Sequence, residues 1–181
     1  MRNSIGLMLT VIAMQSAIPV FAASAEEKAT YIAANDKAET DYKLARTHCD
    51  RLNDNAKSLC IAQAKAAQIK IESNATAVYE DTPVARATAR IDIADANYDV
   101  DKAKCESQFG NSRDVCSKKA EATMVAEKAD ATADKKISEA RSDANGDKQA
   151  VNYSVAIEKC AALVGAHKDD CVVAARKQFE K

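Results

Sequence analysis

The chain has 181 residues, of which 47% are hydrophobic but only 4% aromatic, and none is tryptophan. The 26 lysine and arginine residues nearly balance 27 acidic residues, and a net charge of −1 argues against a polybasic protein that binds nucleic acid or a membrane surface. Four glycines and two prolines are too few turn residues for a many-stranded β-sandwich or barrel. Alanine occupies 38 positions, so single methyl groups make up much of the hydrophobic share.

Residues 1–25 have the organisation of a secretory signal peptide. Arg2 supplies a positive start, an apolar stretch follows from Ile5 to Met14, and small residues then allow cleavage after Ala22 or Ala25. The apolar stretch is shorter than the ~20 residues that a membrane-spanning helix needs. We therefore expect a periplasmic or secreted protein, without stable membrane insertion after cleavage.

The mature chain has the apolar periodicity of helices, and no long segment alternates as a strand does. Thr82 followed by Pro83 is a typical helix start. The segment Ser142–Asp147, which contains Gly146, predicts a linker. The pattern as a whole predicts helices at 26–52, 56–80, 83–108, 113–141, 147–164 and 168–180.

The six cysteines mark three copies of one unit. In each copy the two cysteines are 11 positions apart, a tyrosine precedes the first by seven residues, and an alanine follows the second by four. Such a repeat, Y-x6-C-x10-C-x3-A, is typical of helical repeat proteins. The fifth residue after each first cysteine is of a type that ends one helix or caps the next: Asp54, Gly110 and Gly165.

Export and an even number of cysteines predict disulfides. An antiparallel helical hairpin brings each pair within the ~5.5–6 Å between Cα atoms that a disulfide needs. Six cysteines allow 15 connectivities, and the repeat favours local pairing. The predicted disulfides are Cys49–Cys60, Cys105–Cys116 and Cys160–Cys171, each of which contributes ~3 kcal/mol if it acts on the unfolded chain.

Leu, Ile, Val and Phe account for only 24 of the 156 residues that follow the signal peptide, so disulfides or association with a partner must supplement a small core. We predict an all-α fold, an up-and-down array of three disulfide-stapled antiparallel helical hairpins with coiled-coil-like packing. The hairpins occupy 26–81, 82–146 and a shorter 147–181. All three cysteine turns lie at one end of this array, and the turns near Pro83 and Gly146 lie at the other.

No catalytic residue, cofactor or metal site is predicted. His48 and His167 are far apart, and each fits a helix-terminal surface position better than a metal site. Asp169 and Asp170 are neighbours that cannot share one helical face, and they suit a helix start. A thiol-redox protein would more typically carry Cys-x-x-Cys beside a strand.

Tyr42, Tyr98 and Tyr153 lie two helical turns before the first cysteine of each unit and on the same face. One interpretation places these rings in the core with the hydroxyl at the rim. The other is a repeated docking site for extended peptides or partner helices. We favour the core interpretation.

The units at Tyr42–Ala64, Tyr98–Ala120 and Tyr153–Ala175 resemble those of exported, Ala/Lys-rich helical repeat proteins of Gram-negative bacteria, which are often labelled cell envelope biogenesis protein TolA-like. The resemblance implies helices and a periplasmic location, and it implies no catalytic residues. Cysteine hairpins are not a feature of the TolA rod, and we expect residues 1–25 to be a cleaved signal and not the N-terminal anchor of TolA.

We therefore expect a non-enzymatic periplasmic structural or interaction protein, used in cell-envelope maintenance. We expect its partners to be proteins, which the sequence does not identify, and its composition also allows a homo-oligomer. The alternative is a helical periplasmic chaperone or stress protein that binds unfolded clients. A thiol-redox protein is the third alternative.

Overall fold

A computed structural model describes residues 20–179, which form five α-helices. The helices are α1 (Val20–Cys49), α2 (Asp54–Glu80), α3 (Pro83–Cys105), α4 (Gly110–Ala161) and α5 (Ala166–Phe179). Within this range there is no strand, which confirms the all-α prediction. Most of the predicted signal peptide lies outside the described residues, and both candidate cleavage positions fall near the start of α1.

The helices form an open up-and-down array. Within residues 20–179, each helix contacts only the helix before it and the helix after it in the chain. Helix α2 therefore lies between α1 and α3, and α3 lies between α2 and α4. The predicted up-and-down order of antiparallel hairpins is confirmed, and the array is extended, because α1 and α4 do not meet.

The α2–α3 turn follows directly from its sequence. The Thr82 Oγ1 accepts a hydrogen bond of 3.0 Å from the backbone N–H of Ala85, and Pro83 occupies the first helical position. Asp81 adopts the left-handed conformation, and its N–H donates to the carbonyl of Ala77 over 3.2 Å. A capped start and a left-handed stop together reverse the chain within a few residues.

The prediction of a linker at Ser142–Asp147 is wrong, because α4, which is 52 residues long, continues through this segment without a break. Gly146 costs only about 1 kcal/mol relative to alanine inside a helix, and no proline interrupts the segment. The expectation that all three cysteine turns lie at one end is therefore also wrong. Cys116 and Cys160 are separated along α4 by about 66 Å of helix, which places the third turn at the far end.

The buried positions of the described residues hold only alanine and cysteine. Helix α3 contributes most of them, because it has a neighbour on each side. Alanine lets helices approach closely but removes little apolar area from water. The larger aliphatic side chains lie half-buried or exposed. The buried set is Ala38, Cys49, Ala85, Ala87, Ala89, Ala94, Ala96, Ala103, Cys105, Ala120, Ala131, Cys160 and Ala175.

Candidate functional site

Three disulfides close the helical hairpins. The sulfur bonds join Cys49 to Cys60, Cys105 to Cys116 and Cys160 to Cys171, the same pairs that the repeat predicts, with Cα–Cα distances of 5.5, 5.6 and 5.6 Å. The first cysteine of each pair is buried and the second is half-buried. Three such bonds are compatible with a protein that resides outside the reducing cytoplasm.

Each cysteine turn (the residues between two disulfide-bonded cysteines) contains one residue in the left-handed conformation, at the same position in the repeat. The φ angles are +50° at Asp54, +56° at Gly110 and +58° at Gly165. Glycine adopts this conformation without a steric penalty, and aspartate is among the few other residues that tolerate it. The repeat therefore conserves a backbone shape, which brings the second cysteine back toward the first.

The three repeat tyrosines lie half-buried along the hairpin seams. The Nζ of Lys65 lies 5.4 Å from the centre of the Tyr42 ring, and the Nζ of Lys102 lies 5.3 Å from the centre of the Tyr98 ring. The Tyr153 ring meets Phe179 edge to face, with 6.1 Å between ring centres. The rings of Tyr42 and Tyr153 thus contact the neighbouring helix, Tyr98 contacts a lysine of its own helix, and none of the three rings is fully buried in a core.

A large concave surface of the described residues is an apolar groove between α1 and α2, at the end opposite their cysteine turn. Its volume is about 710 Å³. The rings of Tyr31 and Tyr79 line the groove and stack on each other, with centres 4.9 Å apart and planes inclined by 22°. We call this surface the tyrosine groove; its lining is Glu26, Glu27, Thr30, Tyr31, Ala34, Lys70, Ile71, Asn74, Ala75, Val78 and Tyr79.

Sequence reasoning did not single out the stacked pair, although the sequence contains a signal for it. Tyr31 precedes Cys49 by 18 residues, and Tyr79 follows Cys60 by 19. In an antiparallel hairpin closed by a disulfide, residues at nearly equal sequence distances from the two cysteines face each other. The same rule relates Tyr153 and Phe179 across the third disulfide.

The charged side chains act at the surface. Lys128 Nζ lies 2.8 and 2.9 Å from the two carboxylate oxygens of Asp95, and Arg90 pairs with Asp134, so both pairs link α3 to α4. Such pairs at or near the surface contribute about 0–1 kcal/mol each. A hydrogen bond from Lys118, with its Coulomb attraction, lowers the pKa of the Glu121 carboxyl. No charged or polar side chain is buried within residues 25–179.

The other candidate residues do not converge on one site. His48, His167, Asp169 and Asp170 are all exposed. In the described part of the chain, no three His, Cys, Asp or Glu side chains are grouped so as to hold a metal ion. None of the described helices is both long and apolar enough to cross a membrane.

The geometry therefore offers one apolar groove, three protected disulfides and a largely exposed set of aliphatic side chains. Comparisons with protein-family models, with curated proteins and with solved structures found no match.

Proposed function

We propose that this protein is a non-enzymatic helical interaction protein of the periplasm, which binds a protein partner in maintenance of the cell envelope. The observation that carries the proposal is that small side chains are buried while many of the larger apolar side chains are exposed. Alanine and cysteine fill the buried positions, whereas fifteen larger apolar residues among those described are at least 38% exposed. Apolar area left in contact with water is available for binding.

The tyrosine groove is the surface best suited to this role. Its volume is within the range of ligand sites, and it combines an aromatic pair with aliphatic walls. Tyr79, Ile71 and Val78 are exposed there by 43%, 38% and 79%. Aromatic residues supply large contact area at a low cost in conformational entropy. An apolar segment of a partner would bury these three side chains.

A helical chaperone is the second candidate, supported by the spread of exposed aliphatic residues over all five helices, of which α3 and α5 present one each, Val84 and Val173. A chaperone of this kind would hold unfolded chains by many weak apolar contacts. The mature protein would then suppress aggregation of a reduced client at a stoichiometric ratio, without preference for one partner. Absence of suppression removes this candidate.

Burial of Cys49, Cys105 and Cys160 restricts thiol–disulfide exchange to attack on the half-buried second cysteine of each pair, which disfavours a thiol-redox role. A redox protein would carry at least one disulfide that glutathione reduces at equilibrium. We expect all three bonds to resist it.

The partner-binding proposal is tested by crosslinking in living cells. A photo-crosslinking amino acid at position 78 lies in the tyrosine groove, and one at position 67 lies on an exposed part of α2 as the matched control. We expect a discrete adduct at position 78 only, and loss of that adduct when Ile71→Asp is added. Equal adducts at both positions, or none at position 78, would contradict binding in the groove.

A further inference from the structure

Helix α4 has an outer face that no other described helix covers. Ala120 and Ala131 are buried on the side where α3 packs. Ala122 and Ala133 follow them by two residues, a rotation of about 200° that places them on the opposite side of the helix, where both are exposed. We define the outer face as the residues that lie on this opposite side of α4. They are Ala122, Ala126, Ala129, Ala133, Ile137, Ala140, Ala144, Asp147, Val151 and Val155.

The outer face is apolar over most of its length. Its residues recur at intervals of three and four, the spacing of a helix that packs against another along a seam. Most are alanine, and three larger members, Ile137, Val151 and Val155, are exposed by 49%, 63% and 49%. Asp147 is the single charged residue in the series.

Helix α3 carries the same pattern of alanines on opposite sides of the helix, and it has a neighbouring helix on each side. Its alanines also occur in pairs two residues apart, such as Ala94 and Ala96, and both members of that pair are buried. In α4 the equivalent pair is Ala131, which is buried, and Ala133, which is exposed. Helix α4 therefore carries the pattern of an internal helix of the array but has a neighbour on one side only.

We infer that the outer face of α4 binds the outer face of a second copy of this chain, with the two helices antiparallel. The inference concerns assembly of the array and does not depend on the proposed partner-binding role. The pairing places α3 and α4 of one copy beside α4 and α3 of the other, which continues the up-and-down order across the interface.

Charges at the edges of the outer face select the antiparallel orientation. Lys136 and Asp143 lie on one edge, Asp130 and Lys148 on the other, and all four are exposed. Within residues 25–179 none of the four forms an ion pair, unlike Lys128 and Asp134 on the α3 side. In an antiparallel two-fold pair the same edges meet. An axis near residue 139 brings Lys136 beside the second copy's Asp143, and Asp130 beside its Lys148.

The same axis matches large side chains with small ones. Ile137 of one copy then lies between Ala140 and Ala144 of the other. Val151 lies in the same way within the segment 126–129, which has an alanine at each end. A large side chain that enters a gap between small ones is the packing found along helical seams.

The available area reaches the lower bound for a specific dimer. The segment 122–155 is about 50 Å long, and a contact strip about 10 Å wide on each of two helices amounts to about 1,000 Å² in total. This is about the lower bound for a specific interface between proteins. Helix α5 packs on the side of Tyr153 and Cys160, away from the outer face, and so leaves it accessible.

The oligomeric state of the mature protein tests the inference, with sedimentation velocity as the measurement. We expect a dimer at about 100 µM, well above a micromolar dissociation constant. Ala140→Glu places two carboxylates next to each other at the axis and is expected to raise the dissociation constant more than ~100-fold, because the two like charges repel each other. Ala67→Glu, an exposed alanine of α2, is the matched control and should remain dimeric.

Circular dichroism should show the same helix content in both variants, since both alanines are exposed in the single chain. A monomeric wild-type protein at about 100 µM, or an Ala140→Glu variant that dimerises as the wild type does, overturns the inference.

A charge exchange tests the orientation. K136E and D143K each place like charges opposite one another in an antiparallel homodimer, so each alone should dimerise about 10-fold more weakly than the wild type. An equimolar mixture should recover wild-type affinity, because each variant then supplies the charge that the other lacks. No recovery in the mixture shows that the antiparallel pairing is wrong.

Discussion

The side-chain amide of Asn55 donates a hydrogen bond of 2.9 Å to the backbone carbonyl of Glu106, across 51 residues of sequence. Asn55 is the second residue of α2, and Glu106 follows the last residue of α3. The bond therefore joins the first cysteine turn to the second. It holds these two turns side by side at one end of the array, while the third turn lies at the far end of α4.

Asn55→Ala should lower the free energy of unfolding by about 1 kcal/mol, because one hydrogen bond between turns is lost. Urea denaturation of the mature protein measures the change. Asn53→Ala is the matched control in the same turn, since the Asn53 side chain makes no capping hydrogen bond. An equal loss in both variants would show that the link to Glu106 contributes nothing.

Gly110→Ala and Gly146→Ala should change stability in opposite directions. Gly110 has a φ of +56°, where a side chain costs about 1–2 kcal/mol, so this substitution destabilises the protein. Gly146 lies inside α4 with open space around its Cα, so alanine there should stabilise by up to about 1 kcal/mol. Thermal unfolding measures both variants. Destabilisation by Gly146→Ala would contradict a continuous α4.

Removal of the third disulfide should release α5 from the array. Helix α5 has 14 residues and contacts only α4 among the described elements, and a helix of this length is marginal alone in water. In a Cys160→Ser/Cys171→Ser variant we expect rapid amide hydrogen exchange throughout α5, with α1–α3 unchanged. Removal of Cys49 and Cys60 as the control should leave protection in α5 unaltered. Continued protection of α5 without its disulfide would argue against this account.

The Lys118–Glu121 pair should contribute to stability only above acidic pH. The hydrogen bond from Lys118 lowers the pKa of Glu121 from its ordinary 4.5, so the pair contributes fully above 4.5, and the contribution disappears as the pH falls through the lower folded value. Glu121→Gln should therefore be less stable than the wild type at pH 7, and the difference in stability should be smaller at pH 3. Urea midpoints at both pH values test this, and Lys118→Met should reproduce the loss at pH 7.

Local features of the chain were predictable from sequence because they depend on residues close together. The Thr82–Pro83 start of α3 needs only a hydroxyl and a fixed φ, and the left-handed turn residues need only glycine or aspartate at one position of a repeat. The disulfide pairs follow from the same repeat. The tyrosine groove required one further step, the alignment of two helices about a disulfide, which places Tyr31 against Tyr79.

Other features depend on whether a neighbour is present, and the tertiary structure alone decided them. The segment Ser142–Asp147 contains turn-forming residues, yet it stays helical because the helix is continued on both sides and no packing favours a reversal. Ala131 and Ala133 are the same residue in the same helix, but one is buried and the other exposed. The sequence by itself determined the helices, the disulfides and the turns between disulfide-linked helices, since each of these depends on residues close together in the chain. The open order of the array and its unpaired outer face came from tertiary packing, because burial depends on what lies across from a side chain.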